Sequence, residues 1–267
     1  SIKLIRKEGI MKLENRVALV TGAGSGLGEA AAKKLDSEGA KVALLSRTKE
    51  ELEETAKKLT NESLILPADI SNPDEVKDSI EKIIDKWGRL DIVYANAGIN
   101  GVWAPLDELK PEEWRKTIDI NLNGTFYTVK FASEKMKEKG GSIIITASIN
   151  GTRVFTNTGA SAYSSTKAAQ VAFMKMTALE LASHKIRVNA ICPGQIESEI
   201  EDNTNRRDID KEEEPVKFPE GTIPLTSGKP GESEDVGRLV LFLASDDSKH
   251  ISGTEIFIDG TQSLLVG

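Results

Sequence analysis

A short apolar run, Arg16-Val17-Ala18-Leu19-Val20-Thr21, opens into Gly22-Ala23-Gly24-Ser25-Gly26-Leu27-Gly28 and resumes as a helical pattern from Glu29 to Leu35. This order of strand, glycine turn and helix constrains the fold more than any other feature. Glycines at positions 22, 26 and 28 remove side chains where backbone must come close to a partner. The helix that follows offers free N–H groups and the positive end of its dipole, which suit an anion such as a pyrophosphate. A glycine pattern alone is weak. Here it has the context that such a site requires.

The alternation continues along the chain. Apolar runs at Lys41–Leu45, Ser63–Leu66, Asp91–Tyr94, Ser142–Thr146, Ile186–Ile191 and Glu255–Ile258 read as strands. Helical patterns stand between them at Glu50–Leu59, Asp74–Trp87, Glu112–Lys139, Ala160–Ser183 and Ser233–Ala244. Strands this short and apolar imply a parallel sheet covered on both faces. The expected fold is α/β: a single doubly wound parallel β-sheet of the Rossmann type. Residues 11–267 form the expected domain, and residues 1–10 read as an N-terminal extension ahead of Met11.

Net charge is −7 and the pI near 5.2, which disfavours a general nucleic-acid surface or attraction to anionic lipid. No run has the length of a membrane span. The one cysteine, Cys192, permits no internal disulfide and fits a reducing compartment, so a cytoplasmic location is expected. With two isolated histidines, His184 and His250, no metal constellation is expected. Cys192 reads as a small buried residue ending a strand.

The chemistry-bearing residues cluster late. Tyr163 and Lys167 stand four apart in a helical pattern and share one face. An ammonium one turn away is expected to favour the phenolate and bring the tyrosine pKa toward neutrality. Such a group exchanges a proton with an alcohol or carbonyl at working pH. Ser148 follows the fifth strand, and Asn121 lies in the long helical stretch before it.

The end of the second strand bears on the nucleotide. A carboxylate there would bind a ribose 2′-hydroxyl. The chain has Ser46 and then Arg47, so no carboxylate is expected to repel a 2′-phosphate, and a guanidinium is available to pair with it. NADP is the expected cofactor, with NAD possible.

With these motifs in order, the chain resembles a classical short-chain dehydrogenase/reductase of about 250 residues, from roughly Leu13 onward. The resemblance rests on the Thr21–Gly28 loop, Asp69, Asn96-Ala97-Gly98, Asn121, Ser148, Tyr163, Lys167 and Pro193-Gly194. It implies an NAD(P)-dependent oxidoreductase acting on CH–OH/C=O groups, with Asn121, Ser148, Tyr163 and Lys167 catalytic. It further implies that Gly22, Ser25, Gly26, Leu27, Gly28, Ser46, Arg47, Asp69, Ile70, Asn96, Ala97, Gly98, Pro193, Gly194, Ile196 and Ser198 hold the nucleotide with Tyr163 and Lys167. Small departures exist: Ala95 precedes Asn96, Ser198 stands where a threonine is usual, and Thr261 follows Asp259-Gly260.

The substrate is expected to be a small secondary alcohol or ketone. Reductases of 3-oxoacyl thioesters share the pattern. Val102, Trp103, Val154 and Phe155 are candidates for an apolar substrate wall or for core packing. The acidic, proline-punctuated stretch 197–231 is expected to be a substrate lid rather than a solvated insertion. The resemblance suggests a homotetramer, and wide apolar arcs at Val171, Phe173, Met174 and Met176 agree with a partner subunit. A non-catalytic dinucleotide sensor on the same fold is the rival reading. A methyltransferase also uses a glycine loop but has no need of Tyr163 and Lys167.

Overall fold

A computed structural model of the chain describes residues 11–197, 204–211 and 223–265. The elements run β1 (Val17–Thr21), α1 (Gly26–Ser37), β2 (Lys41–Ser46), α2 (Lys49–Ala56), β3 (Ser63–Pro67), α3 (Pro73–Trp87), β4 (Ile92–Ala95) and β5 (Gly101–Trp103). They continue with α4 (Pro111–Ile118), α5 (Gly124–Met136), β6 (Gly141–Thr146), α6 (Ser161–Leu181), β7 (Ile186–Pro193), β8 (Thr204–Arg206), α7 (Ser233–Ala244) and β9 (Glu255–Ile258).

Seven strands form one sheet in the order β3-β2-β1-β4-β6-β7-β9, and every pairing in it is parallel. The order reverses at β1, so a crevice opens between the carboxyl ends of β1 and β4. Period-two alternation divides the core. On β1 and β2, Val17, Leu19, Ala43 and Leu45 meet α3, α5 and α6, through residues such as Ile80, Val129 and Met174. Ala18, Val20, Val42 and Leu44 face the other way, onto Leu35, Leu52 and Val240 of α1, α2 and α7. Both faces are therefore covered, which explains why the strands read as unbroken apolar runs.

Local signals set the helix ends. The Asn72 side chain accepts from the Asp74 N–H at 3.1 Å, Pro73 occupies the first turn, and Gly88 closes α3 at φ 68°. The glycine turn is equally determined. Gly22 has φ 65°, and a Cβ there would stand 3.0 Å from the Ala97 backbone.

Two features depart from the expected pattern. The helix expected over Glu112–Lys139 is interrupted by a π-helical turn at Asp119–Asn123. There the Asn121 carbonyl accepts from Thr125 Oγ1 at 2.7 Å and Gln170 Nε2 at 2.8 Å. These side-chain bonds tie the π turn to α5 and α6. The second departure is a small parallel pair, β5 with β8, absent from the sequence reading. It ties part of the 197–231 stretch over the carboxyl end of the main sheet. Arg207 reinforces it, pairing with Glu113 at 2.9 and 3.0 Å. The Glu212–Pro215 portion of the expected lid, and Ser198, lie outside the described residues.

Candidate active site

A cleft of about 460 Å³ lies at the carboxyl end of the sheet, where the strand order reverses. It is lined by the glycine turn, the ends of β2, β3, β4, β6 and β7, and the first part of α6. Of the expected nucleotide-binding residues, Gly22, Ser25, Gly26, Leu27, Ser46, Arg47, Asp69, Ile70, Asn96, Ala97, Gly98, Tyr163, Lys167, Pro193, Gly194 and Ile196 all line it. Gly28 does not. A Cβ at Gly28 would stand 2.0 Å from the Gly22 carbonyl oxygen, so this glycine packs α1 against the turn. Gly24, Glu51, Thr146 and Ile99 line the cleft but were not singled out from sequence.

Hydrogen bonds fix the walls. Thr21 Oγ1 accepts from the N–H groups of Asn96 and Ala97, each at 3.0 Å. Asn96 Nδ2 donates to the Thr21 carbonyl at 3.2 Å, while its Oδ1 accepts from Thr146 Oγ1 at 3.1 Å. Three strand ends are thereby held in one frame. Asp69 accepts from the N–H and hydroxyl of Ser71 at 2.9 and 2.7 Å. Burial works to raise the Asp69 pKa, but those bonds and the charge of Arg47 outweigh it, and the carboxyl sits below its ordinary value.

At the deep end, Ser148 on the β6 end and Tyr163 and Lys167 on α6 come together. All three are buried, at 6, 8 and 3 % exposure. Ser148 Oγ accepts from the Asn150 N–H at 3.1 Å and is hydrogen-bonded to Tyr163. Lys167 Nζ lies 5.5 Å from the Tyr163 ring centre and donates to the Thr146 carbonyl at 2.8 Å. An ammonium has three donors. Only that to Thr146 has a partner among the described residues, and the cleft lies beside it.

The electrostatics correct one expectation. The Tyr163 hydroxyl is not brought toward neutrality. Burial pushes its pKa above the ordinary 10.0, with the Ser148 hydrogen bond pulling the other way. Burial also pushes Lys167 down to about 8. Burial disfavours the charged form of each group, and this outweighs the single-turn spacing on which the expectation rested.

Asn121 reaches the same region but is engaged differently from the other three. Its Nδ2 donates to the Ile99 carbonyl at 2.9 Å and to Thr166 Oγ1 at 3.2 Å, and its Oδ1 accepts from the Ile99 N–H at 2.8 Å. A point beside Gly98, where a Cβ would be, is 3.1 Å from Asn121 Oδ1 and 3.7 Å from Lys167 Nζ. Trp103 of β5 leans toward the site, its ring 6.4 Å from that of Tyr163. Val154 is buried, whereas Phe155 is 73 % exposed.

One lining carboxylate lies outside the β2 end on which the cofactor expectation rested. Glu51, on α2 rather than β2, lines the cleft beside Ser46 and Arg47. Cys192 is fully buried on β7, and burial pushes its thiol up to about 12. Among the described residues no group of three or more metal-ligating side chains could hold a metal. No described helix is long and apolar enough to cross a membrane.

The residues present fit a dinucleotide. Gly22 leaves no side chain at the turn, and the buried Lys167 turns unpaired donors to the cleft.

The chain is similar to known proteins over most of its length. The model of a family described as enoyl-(acyl carrier protein) reductase matches residues 22–261. A 3-oxoacyl-[acyl-carrier-protein] reductase of Thermotoga maritima is 36 % identical over 94 % of this chain and 98 % of its own. The crystal structure of a 3-ketoacyl-ACP reductase from Sinorhizobium meliloti is 47 % identical with a TM-score of 0.89, covering 93 % of this chain and 99 % of that one. A 3-ketoacyl-(acyl-carrier-protein) reductase from Brucella melitensis, complexed with NADH, is 30 % identical with a TM-score of 0.83, covering 94 and 99 % of the two chains.

Proposed function

The chain belongs to the short-chain dehydrogenase/reductase family and is an NAD(P)-dependent oxidoreductase acting on the CH–OH/C=O pair; from that premise we propose that it interconverts a secondary alcohol and a ketone using NADP(H), with Tyr163 as the proton-exchanging group. The observation that carries the proposal is the meeting of Ser148, Tyr163 and Lys167 at one end of a cleft whose other end is a glycine turn.

The dinucleotide supplies or accepts the hydride, and its oxidised ring is a cation. The protein handles the proton. In reduction Tyr163, buried and protonated, gives its proton to the substrate oxygen as the alcohol forms. Ser148 keeps its O–H for that oxygen or for Tyr163, because its own oxygen is engaged by Asn150. Such a donor stabilises charge as it develops. Lys167 presents its remaining donors to the cleft and suits the nicotinamide ribose. Positive charge from Lys167 and an oxidised ring favours the phenolate that oxidation requires. Asn121 and Lys167 converge beside Gly98, which supports a water relay between them.

Arg47 supports NADP(H) at the ribose corner, and NAD(H) use is compatible with the same cleft. Asp69 and Ile70 suit the adenine, and Pro193, Gly194 and Ile196 the nicotinamide. Relatives named as reductases of 3-oxoacyl carrier-protein thioesters support that substrate class as the alternative to a free ketone. Trp103 suits an apolar substrate wall, with residues 197–231 as a lid. A homotetramer in the cytoplasm completes the proposal. Exposed Met176 and Leu179 on α6 support self-association.

The test is a panel of ketones and 3-oxoacyl thioesters with NADPH and NADH, followed at the nicotinamide absorbance band. Turnover of at least one class is expected. Binding of dinucleotide with no turnover across the panel would favour a sensor instead.

A further inference from the structure

The corner of the cleft at the end of β2, proposed above for the adenosine ribose, contains a carboxylate that strand reading does not reveal. Thr55 is fully buried on α2, and its hydroxyl donates to the carbonyls of Ala23 and Gly24 at 3.0 and 3.3 Å. This bond pins α2 to the glycine turn. Glu51 lies four residues earlier and therefore on the same face, one turn nearer the cleft. A Cβ built on Gly24 would stand 2.7 Å from Glu51 Oε2, 2.8 Å from Glu51 Cβ and 3.4 Å from Ser46 Oγ. Gly24, Ser46, Arg47 and Glu51 all line the same cleft. The lysines that could neutralise Glu51 are engaged elsewhere: Lys49 with Glu53 and Lys58 with Glu29. The charge of Arg47 acts on Asp69.

We propose that Glu51 selects the nucleotide: its carboxylate accepts the adenosine ribose hydroxyls of NAD and opposes the 2′-phosphate of NADP, so that the chain takes both nucleotides rather than NADP alone. The inference rests on the reading that the cleft binds a nicotinamide dinucleotide. A ribose hydroxyl is a donor, which a carboxylate accepts. A 2′-phosphate adds about 1.5–2 negative charges and only acceptors, so the same carboxylate repels it. Arg47 acts in the opposite sense. The preference is the balance between them, set by two side chains on different elements.

Calorimetric titration of the whole protein with NAD and with NADP tests this without needing the substrate. Glu51→Gln keeps the size and removes the charge of a solvent-facing helix residue. It is expected to tighten NADP and weaken NAD, moving the ratio of dissociation constants about tenfold, or ~1.4 kcal/mol. Glu51→Lys is expected to move it further in the same direction, and Arg47→Ala the other way. A ratio in both Glu51 variants within twofold of the parent would overturn the inference while leaving dinucleotide binding intact. Absence of binding by either nucleotide to the parent would overturn the dinucleotide reading and this inference together.

Discussion

Lys167 Nζ sits 5.5 Å from the centre of the Tyr163 ring and holds the Thr146 carbonyl at 2.8 Å. The two side chains are one helical turn apart, yet burial dominates both: it raises the phenol and pulls the ammonium down to about 8. The pair is thus poised with its proton on the tyrosine, ready to act as an acid, and further positive charge in the cleft shifts it toward the base.

This arrangement has a pH signature. The unfolded chain holds the Lys167 proton up to about its ordinary 10.5, whereas the folded chain releases it near 8. Stability contributed by this residue therefore rises with pH between 8 and 10.5 and is lost as pH falls through 8. Tyr163 has the opposite sign: above pH 10.0 the folded chain keeps a proton the unfolded chain loses, and stability declines. Lys167→Met is expected to be more stable than the parent at pH 7 by ~1–3 kcal/mol, with the gap closing toward pH 10.5. Urea unfolding at several pH values measures it; a gap independent of pH would contradict the buried-ammonium account.

Gly28 is expected to tolerate no side chain. A Cβ would lie 2.0 Å from the Gly22 carbonyl oxygen, so Gly28→Ala must displace either α1 or the turn. A loss of about 1–3 kcal/mol is expected in thermal or denaturant unfolding, with weaker dinucleotide binding because the turn itself shifts. Unchanged stability and binding would place Gly28 outside the packing contact described.

Cys192 is expected to be chemically silent in the folded chain. It is fully buried, with its thiol pushed up to about 12. A disulfide reagent at pH 8 should leave it unmodified in buffer and titrate one thiol after unfolding in denaturant. Rapid labelling of the native chain would contradict its burial.

Assembly is tested on α6. Met176 and Leu179 are 70 and 79 % exposed, three residues apart on one face. The double variant Met176→Glu/Leu179→Glu is expected to sediment as a monomer at micromolar concentration, against the tetramer proposed for the parent. A tetramer that survives both charges would move the interface elsewhere.

Much of this was legible in the chain. The glycine turn, the alternation of strands and helices, and the shared face of Tyr163 and Lys167 follow from residue order and period, while the meeting with Ser148 is what the family resemblance implies. Other features were not. The π turn at Asp119–Asn123 is a shift in backbone pairing inside a stretch that reads as one continuous helix. β5 and β8 are three residues each and more than 90 positions apart, too short for any period to register. Glu51 reaches the cleft from α2, so a search confined to the end of β2 passes over it. The direction of the Tyr163 shift depends on burial depth, which residue spacing does not report.

The most direct measurement compares Tyr163→Phe with the parent for dinucleotide affinity and for turnover of an accepted substrate. The account predicts affinity within a few-fold and turnover lower by a factor of about 10²–10⁴, the range for loss of a positioned acid or base. Turnover within tenfold of the parent, at unchanged affinity, would contradict the assignment of the proton to Tyr163.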